Sequence, residues 1–243
     1  MSARPAGRFA AAITAENARG VVAVIPDIKC VSPKEGDLLH GRDPVETATS
    51  LVRCGAPMLS VVTEGERFGG SPALLRAVTQ AVDVPVLRKD FITSADMLAE
   101  TAQLGAAAVL LICAITDEQH LGLLYEQAIT LGLEPFVEAH TAQELALAAR
   151  LGARLIGINN RDIVTLERDD GGPSRTAMLA SNAPAGALLV SESGILSPQD
   201  AQLAASAGAH AVLVGTALWR APDMGAMYRM LRVERKARPC GRS

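Results

Sequence analysis

The stretch AETAQLGAAAVLLI, residues 99–112, decides how the rest of the chain is read. An alanine-rich amphipathic segment runs into Gly105-Ala106 and then into an unbroken apolar run. Glycine after a helical segment is the expected C-terminal stop, because it accepts positive φ without a Cβ clash. The apolar run does not alternate with polar residues, so it reads as a strand covered on both faces, as in a parallel sheet. The phrase recurs as SLVRCGAPMLSVV (50–62), ALAARLGARLIGI (146–158) and LAASAGAHAVLVG (203–215), with Gly-Ala pairs beginning at Gly55, Gly152 and Gly208.

Extending this pattern along the chain gives eight strand segments: 21–29, 58–63, 85–91, 108–114, 134–140, 155–160, 188–194 and 211–218. Helical segments fall between and after them, at 44–54, 72–81, 94–104, 117–131, 142–151, 174–181, 198–207 and 223–234. Ser94, Asp117 and Ser197, the last followed by Pro198, stand where helix N-caps belong. Eight strand–helix units in 243 residues fit one α/β domain, a single (β/α)₈ TIM barrel spanning 1–243. Residues 1–20 are then a lead-in, and the tail VERKARPCGRS reads as solvated, with 236–243 a flexible end. A doubly wound open sheet is the weaker alternative, since no glycine-rich dinucleotide turn follows the first strand.

Composition narrows the function classes. Net charge is −3 without a long run of either sign, and aromatics are 3%, which speaks against a nucleic-acid partner. No stretch has the apolar length of a membrane span. Cys30, Cys54, Cys113 and Cys240 and the four histidines are dispersed, so neither a disulfide framework nor a metal site is expected, and a reducing cytoplasm is the expected location.

In such barrels chemistry collects where strands end and the following loops begin. Those ends carry Asp27 and Lys29 (PDIKC), Lys89 and Asp90 (PVLRKDF), Glu138 and His140 (VEAH), Asn159, Asn160 and Arg161 (INNRD), Glu192 and Ser193 (SESG), and Gly215 and Thr216 (VGTA). The chain holds four lysines against nineteen arginines, yet two of the four fall at strand ends. Arginine does not release its proton near neutral pH, whereas a buried lysine is tunable, so position 89 calls for a transferable proton. Single charges at strand ends often serve only to cap a barrel by ion pairing. Two lysines, two glutamates and two asparagines on one rim would be costly to bury without a ligand or one another. Small residues after strands seven and eight, Ser193, Gly194, Gly215 and Thr216, leave backbone N–H groups able to face a phosphate. His140 shares a strand face with Glu138, and either enters the pocket or makes a structural hydrogen bond.

The segments IKCVSPKEG (28–36), FGGS (68–71), PVLRKDFI (85–92), VEAH (137–140), IGINNRD (156–162), VSESGI (190–195) and VLVG (212–215) resemble indole-3-glycerol-phosphate synthase, in order and over nearly the whole chain. The resemblance implies decarboxylating ring closure of 1-(2-carboxyphenylamino)-1-deoxyribulose 5-phosphate to indole-3-glycerol phosphate, CO2 and water. It implies no metal or organic cofactor. It makes Lys89 the acid for ring closure and Glu138 the base, or the acid–base partner in dehydration. Lys29 would bind the carboxylate or phosphate side and assist dehydration, with Asp27 beside it. Asn159 and Glu192 would hold sugar hydroxyls and lysines in register, and Arg161 would lie near the anthranilate. Ser193, Gly194, Gly215 and Thr216 would cradle the phosphate, and Ser32 would line the pocket. Arg88 and Asp90 would orient Lys89 or pair elsewhere. A tryptophan-pathway enzyme partner and a homo-oligomer are both left open.

This chain departs from the family pattern around the first strand. Asp27 stands where glutamate is usual, Cys30 where a basic residue is usual, and Lys34-Glu35-Gly36 reverses a local charge. Only about twenty residues precede strand one, where the family usually carries a longer helical segment. These differences fit a specialised paralogue taking a substituted anthranilate. Two alternatives stand beside it. A phosphoribosyl (Amadori) isomerase would need a pair such as Cys30 and Asp162, but Cys30 adjoins the inward Lys29 and should face away. A catalytically weak phosphosugar-binding paralogue would not need Lys89 and Glu138.

Overall fold

The computed structural model describes residues 7–161 and 172–235. Eight parallel strands close into a barrel: β1 (Ala23–Ile28), β2 (Leu59–Val62), β3 (Val86–Lys89), β4 (Ala108–Ile112), β5 (Glu134–Ala139), β6 (Leu155–Asn159), β7 (Leu188–Glu192) and β8 (Ala211–Val214). Closure is made by β1, which pairs with β8 from Ala23↔Ala211 to Pro26↔Val214 and with β2 at Asp27↔Ser60. The expected barrel is therefore the observed one. Residues 162–171, with Asp162, and 236–243, with Cys240, lie outside the described residues.

The helices are α1 (Arg8–Ala18), α2 (Pro44–Arg53), α3 (Pro72–Ala81), α4 (Ala95–Gln103), α5 (Glu118–Thr130), α6 (Ala142–Arg150), α7 (Ser174–Leu179), α8 (Pro198–Ala207), α9 (Thr216–Arg220) and α10 (Met224–Leu231). Ser94, Asp117 and Ser197 accept hydrogen bonds from Met97 N, His120 N and Asp200 N, the capping arrangement expected of them. The repeated glycines stop their helices at positive φ: 103° at Gly55, 85° at Gly105, 68° at Gly152 and 111° at Gly208.

Strand parity sorts the apolar residues into layers. Ala23, Ile25, Leu87, Leu110, Phe136, Leu155, Val190 and Leu213 point inward and pack as one cluster. Their neighbours Val22, Val24, Val61, Val86, Val109, Val137, Ile156 and Val212 face the helices. This explains the non-alternating strands, since both faces are buried.

The N-terminal lead-in is the helix α1, which the sequence reading left unassigned. Its Phe9 and Ile13, one turn apart, are fully buried in the inward-facing cluster and close the N-terminal end of the barrel. Glu134, at the start of β5, accepts bonds from Phe9 N and Ala10 N at 2.6 and 2.9 Å, occupying the first turn of α1. Buried Glu16 ties the other end of α1 to Arg232 at 2.6 Å.

The strands are shorter than expected, and three boundaries have a local reason. The eighth strand stops at Val214, because the chain turns at Gly215 into the short helix α9. The third stops at Lys89, where the Asp90 carboxylate takes bonds from Thr63 Oγ1 and Arg88 Nη2. The start of the tail is not free in solvent: Val233 O accepts from Val22 N, and Arg235 N donates to Gly20 O.

Candidate active site

Lys29 and Lys89 line one cavity at the C-terminal end of the barrel, together with Asp27, Arg161, Ser193, Gly194, Gly215 and Thr216. Three cationic side chains thus share a mouth with two small-residue turns. The Lys29 ammonium lies 5.6 Å from the Phe68 ring centroid, which supports a cation without neutralising it. A second cavity of about 350 Å³ lies at the opposite end, between α1, α5 and the starts of β5 to β7. It is the larger one, but Glu134 and Arg154 are its charged residues and none of the C-terminal strand-end cluster reaches it. Convergence of titratable groups, rather than size, makes the C-terminal cavity the candidate site.

Glu138 and Glu192 lie on the inward face of β5 and β7 and are 1% and 0% exposed. No well-aligned N–H or O–H donor among the described residues reaches their four oxygens. Burial pushes Glu192 well above the usual carboxylate range, the Glu138 charge adds to this, and the Lys89 ammonium opposes it. The strands make room for this pair. A Cβ at Gly157, on β6 between them, would collide with Glu192 Oε1 and come within 2.9 Å of Phe136. Glycine inside a strand is a sequence sign of such close approach.

Asn159 sits at the end of β6, in register with Glu192, and its Oδ1 accepts from Arg161 N at 3.0 Å. Asn160 points the other way. Its amide donates to Ser191 Oγ, Glu192 O and Ser193 O at 3.0, 2.8 and 3.0 Å, and its carbonyl accepts from Thr176 N and Oγ1. That buried clamp holds the turn after β7, where Ser193 takes φ 62° and Gly194 φ 71°. A left-handed serine costs about 1–2 kcal/mol, so it persists because its surroundings fix it. The sequence places both asparagines on one rim, but Asn160 packs against α7 instead, and neither its clamp nor Arg175, which donates to Asn159 O and Arg161 O, has a local sequence sign.

Adjacent charges on β3 separate by strand parity. Lys89 reaches the cavity, whereas Arg88 is buried outside the barrel wall. Its guanidinium donates to Thr63 Oγ1, Glu100 Oε2, Thr101 Oγ1 and Asp90 Oδ2 at 3.0, 2.8, 3.0 and 3.2 Å. Arg88 therefore pairs with Asp90 and with α4. Ser32 is not among the cavity-lining residues. The loop after β1 folds into a two-residue ribbon, Val31↔Asp37 and Ser32↔Gly36, and leaves Ser32 1% exposed.

A sequence model of the family described as Indole-3-glycerol phosphate synthase matches residues 1–231. The chain belongs to the indole-3-glycerol phosphate synthase family. It is 43% identical over 220 residues to the indole-3-glycerol phosphate synthase of Carboxydothermus hydrogenoformans, covering 90% of this chain and 83% of that one. It is 44% identical over 209 residues to that of Thermococcus kodakarensis, covering 86% and 91%. To that of a Nocardioides species it is 46% identical over 212 residues, covering 87% and 80%.

Against this indole-3-glycerol phosphate synthase background, the unusual first-strand loop has local reasons. Glu35 pairs with Arg220 of α9, so the charge reversal at 34–36 is matched across the rim. The Trp219 indole donates to Asp27 O at 2.9 Å and stacks under the Arg42 guanidinium, 5.0 Å away, fixing the strand that carries the shortened carboxylate. Cys30 does not line the cavity, and burial, with Asp37 adding, pushes its thiol above the ordinary value. A thiol so disfavoured as thiolate is a poor base, which weighs against the isomerase alternative.

Proposed function

We propose that this chain catalyses the decarboxylating ring closure of 1-(2-carboxyphenylamino)-1-deoxyribulose 5-phosphate, or of a ring-substituted analogue, to the indole glycerol phosphate. The observation that carries the reading is the convergence of Lys29 and Lys89 on one cavity whose other wall is the pair of turns at Ser193-Gly194 and Gly215-Thr216.

The reaction needs a proton at one oxygen, removal of another, and a base. As the aromatic carbon bearing the carboxylate attacks the ribulose carbonyl, the carbonyl oxygen gains charge. The Lys89 ammonium, on the inward face of β3, is assigned to deliver the proton there. Loss of CO2 leaves its electron pair to restore the aromatic ring. In dehydration the new hydroxyl leaves as water with a proton from an ammonium group, for which Lys29 is assigned. Glu138 accepts the proton whose bonding pair becomes the new double bond. Glu192, held neutral by burial and by Glu138, keeps a second negative charge from opposing that of Glu138. Arg161 and Lys29 suit the substrate carboxylate and phosphate, and the two turns suit the phosphate oxygens through backbone N–H groups.

Asp27, which lines the cavity where the family resemblance leads one to expect a longer glutamate, is the reason for testing a substituted ring. Incubating the purified protein with the unsubstituted substrate and with methyl- and halo-substituted forms tests both parts. Growth of indole ultraviolet absorption, with release of CO2, is the expected result, and the preferred ring identifies the specialisation. If no form yields indole absorption, the assignment is wrong.

A further inference from the structure

We propose that His140, held by Glu144, is a positioning residue that orients Glu138 and carries its proton out to solvent. This rests on the reading above, in which Glu138 accepts the proton released during dehydration.

Three ionisable side chains form a line. Glu138 Oε1 lies 3.4 Å from His140 Nε2, and His140 Nδ1 lies 3.6 Å from Glu144 Oε2. Side-chain exposure rises along it from 1% at Glu138 to 9% at His140 and 21% at Glu144. The line therefore leads from the buried pair to bulk water. The base needs such a route, because Glu138 can take a second proton only after losing the first. The step balances simply. Glu138 receives a proton from the cyclised intermediate, passes it to the Nε2 lone pair, and returns to carboxylate. The imidazolium then lies between two carboxylates, and its Nδ1 proton leaves towards Glu144 and water.

The surrounding charges are consistent with this polarity. Burial works against ionisation of Glu144, but the nearby His140 imidazole and the His140 backbone N–H outweigh it and hold the carboxyl below its usual range. Cys113 also faces the line, and its thiol is pushed up to about 12 by burial, with Glu144 and Glu138 adding, and so stays neutral. Across the pocket, Glu192 feels the charges of Glu138, Lys89 and Asp27.

Glu144 also has a structural duty. Thr141 caps α6 by accepting from Glu144 N, and Glu144 reaches back to His140 N. Glu144→Gln separates the two duties, since glutamine retains the cap and loses the charge. With the proposed substrate, His140→Gln should lower kcat about 10- to 100-fold with KM within about twofold, and Glu144→Gln should lower it about 3- to 10-fold without moving Tm. The kcat–pH profile of His140→Gln should differ in shape from that of the wild type. Glu138→Gln is the control. If it keeps wild-type turnover, the assignment of Glu138 fails and takes this proposal with it. If it is inactive while His140→Gln keeps the wild-type kcat and pH profile, the proposal alone is overturned. Should His140→Gln fail to fold, an unchanged kcat and pH profile in Glu144→Gln overturns it equally.

Discussion

At the N-terminal end of the barrel, Phe9 and Ile13 pack on Ile25, Leu87, Phe136, Val190 and Leu213. Two residues further along the same strands, and so on the same inward face, stand Asp27, Lys89, Glu138, Glu192 and Gly215. One layer of side chains is an apolar plug, and the next holds the buried charges. Rigid strands let the two layers differ completely while remaining in register. The plug fixes the strands, and the strands fix the charges at spacings that flexible loops would not hold.

Breaking each layer separately should give opposite signatures. Lys89→Met, in the charged layer, should lower turnover about 10²- to 10⁴-fold while the far-ultraviolet circular dichroism and Tm stay near wild type. Phe9→Ala, in the plug, should cost about 3–5 kcal/mol in urea unfolding, with kcat of the folded fraction within a few-fold of wild type. If Phe9→Ala loses activity without losing stability, the separation of layers is wrong.

Gly157 lies between the layers and sharpens the contrast. Gly157→Ala should cost about 1–3 kcal/mol and also depress kcat, because the added methyl displaces Glu192 and presses on Phe136. A variant that is stable and fully active would show that Glu192 has room to move.

The smallest effect is in the pH dependence of stability. The folded protein holds the Glu192 proton, while the unfolded chain releases it near the ordinary value of about 4.3. Its raised value therefore contributes stability that is complete below that pH and is lost as pH rises through the folded value. Glu192→Gln resembles the protonated form and does not titrate. Comparing urea midpoints at about pH 5 and about pH 8, the variant should gain on the wild type at the higher pH. An unchanged difference would mean that Glu192 is ionised throughout.

The repeat of helix, Gly-Ala and apolar run made the barrel legible, because each glycine answers a local need for positive φ and each strand is buried on both faces. Parity put His140 on the face of Glu138 and turned Cys30 away from Lys29, whereas the split between Lys89 and Arg88 and the turn of Asn160 towards α7 came only with the fold. What parity leaves out is long-range packing. Phe9 and Ile13 have helical spacing, yet nothing in their own segment says that they close a barrel. Arg88 is followed by Asp90, but Thr63, Glu100 and Thr101 come to it only through the fold. Likewise, Gly157 reads as a weak strand residue until the Glu192 side chain is seen to occupy the missing methyl's place.

The account turns on position 89 supplying a proton as well as a charge. Lys89→Arg keeps the charge and removes the transferable proton. Measured by single-turnover indole formation alongside equilibrium binding of the substrate, it should retain affinity within a few-fold and lose at least about 100-fold in rate. A Lys89→Arg enzyme that closes the ring at the wild-type rate would contradict the account.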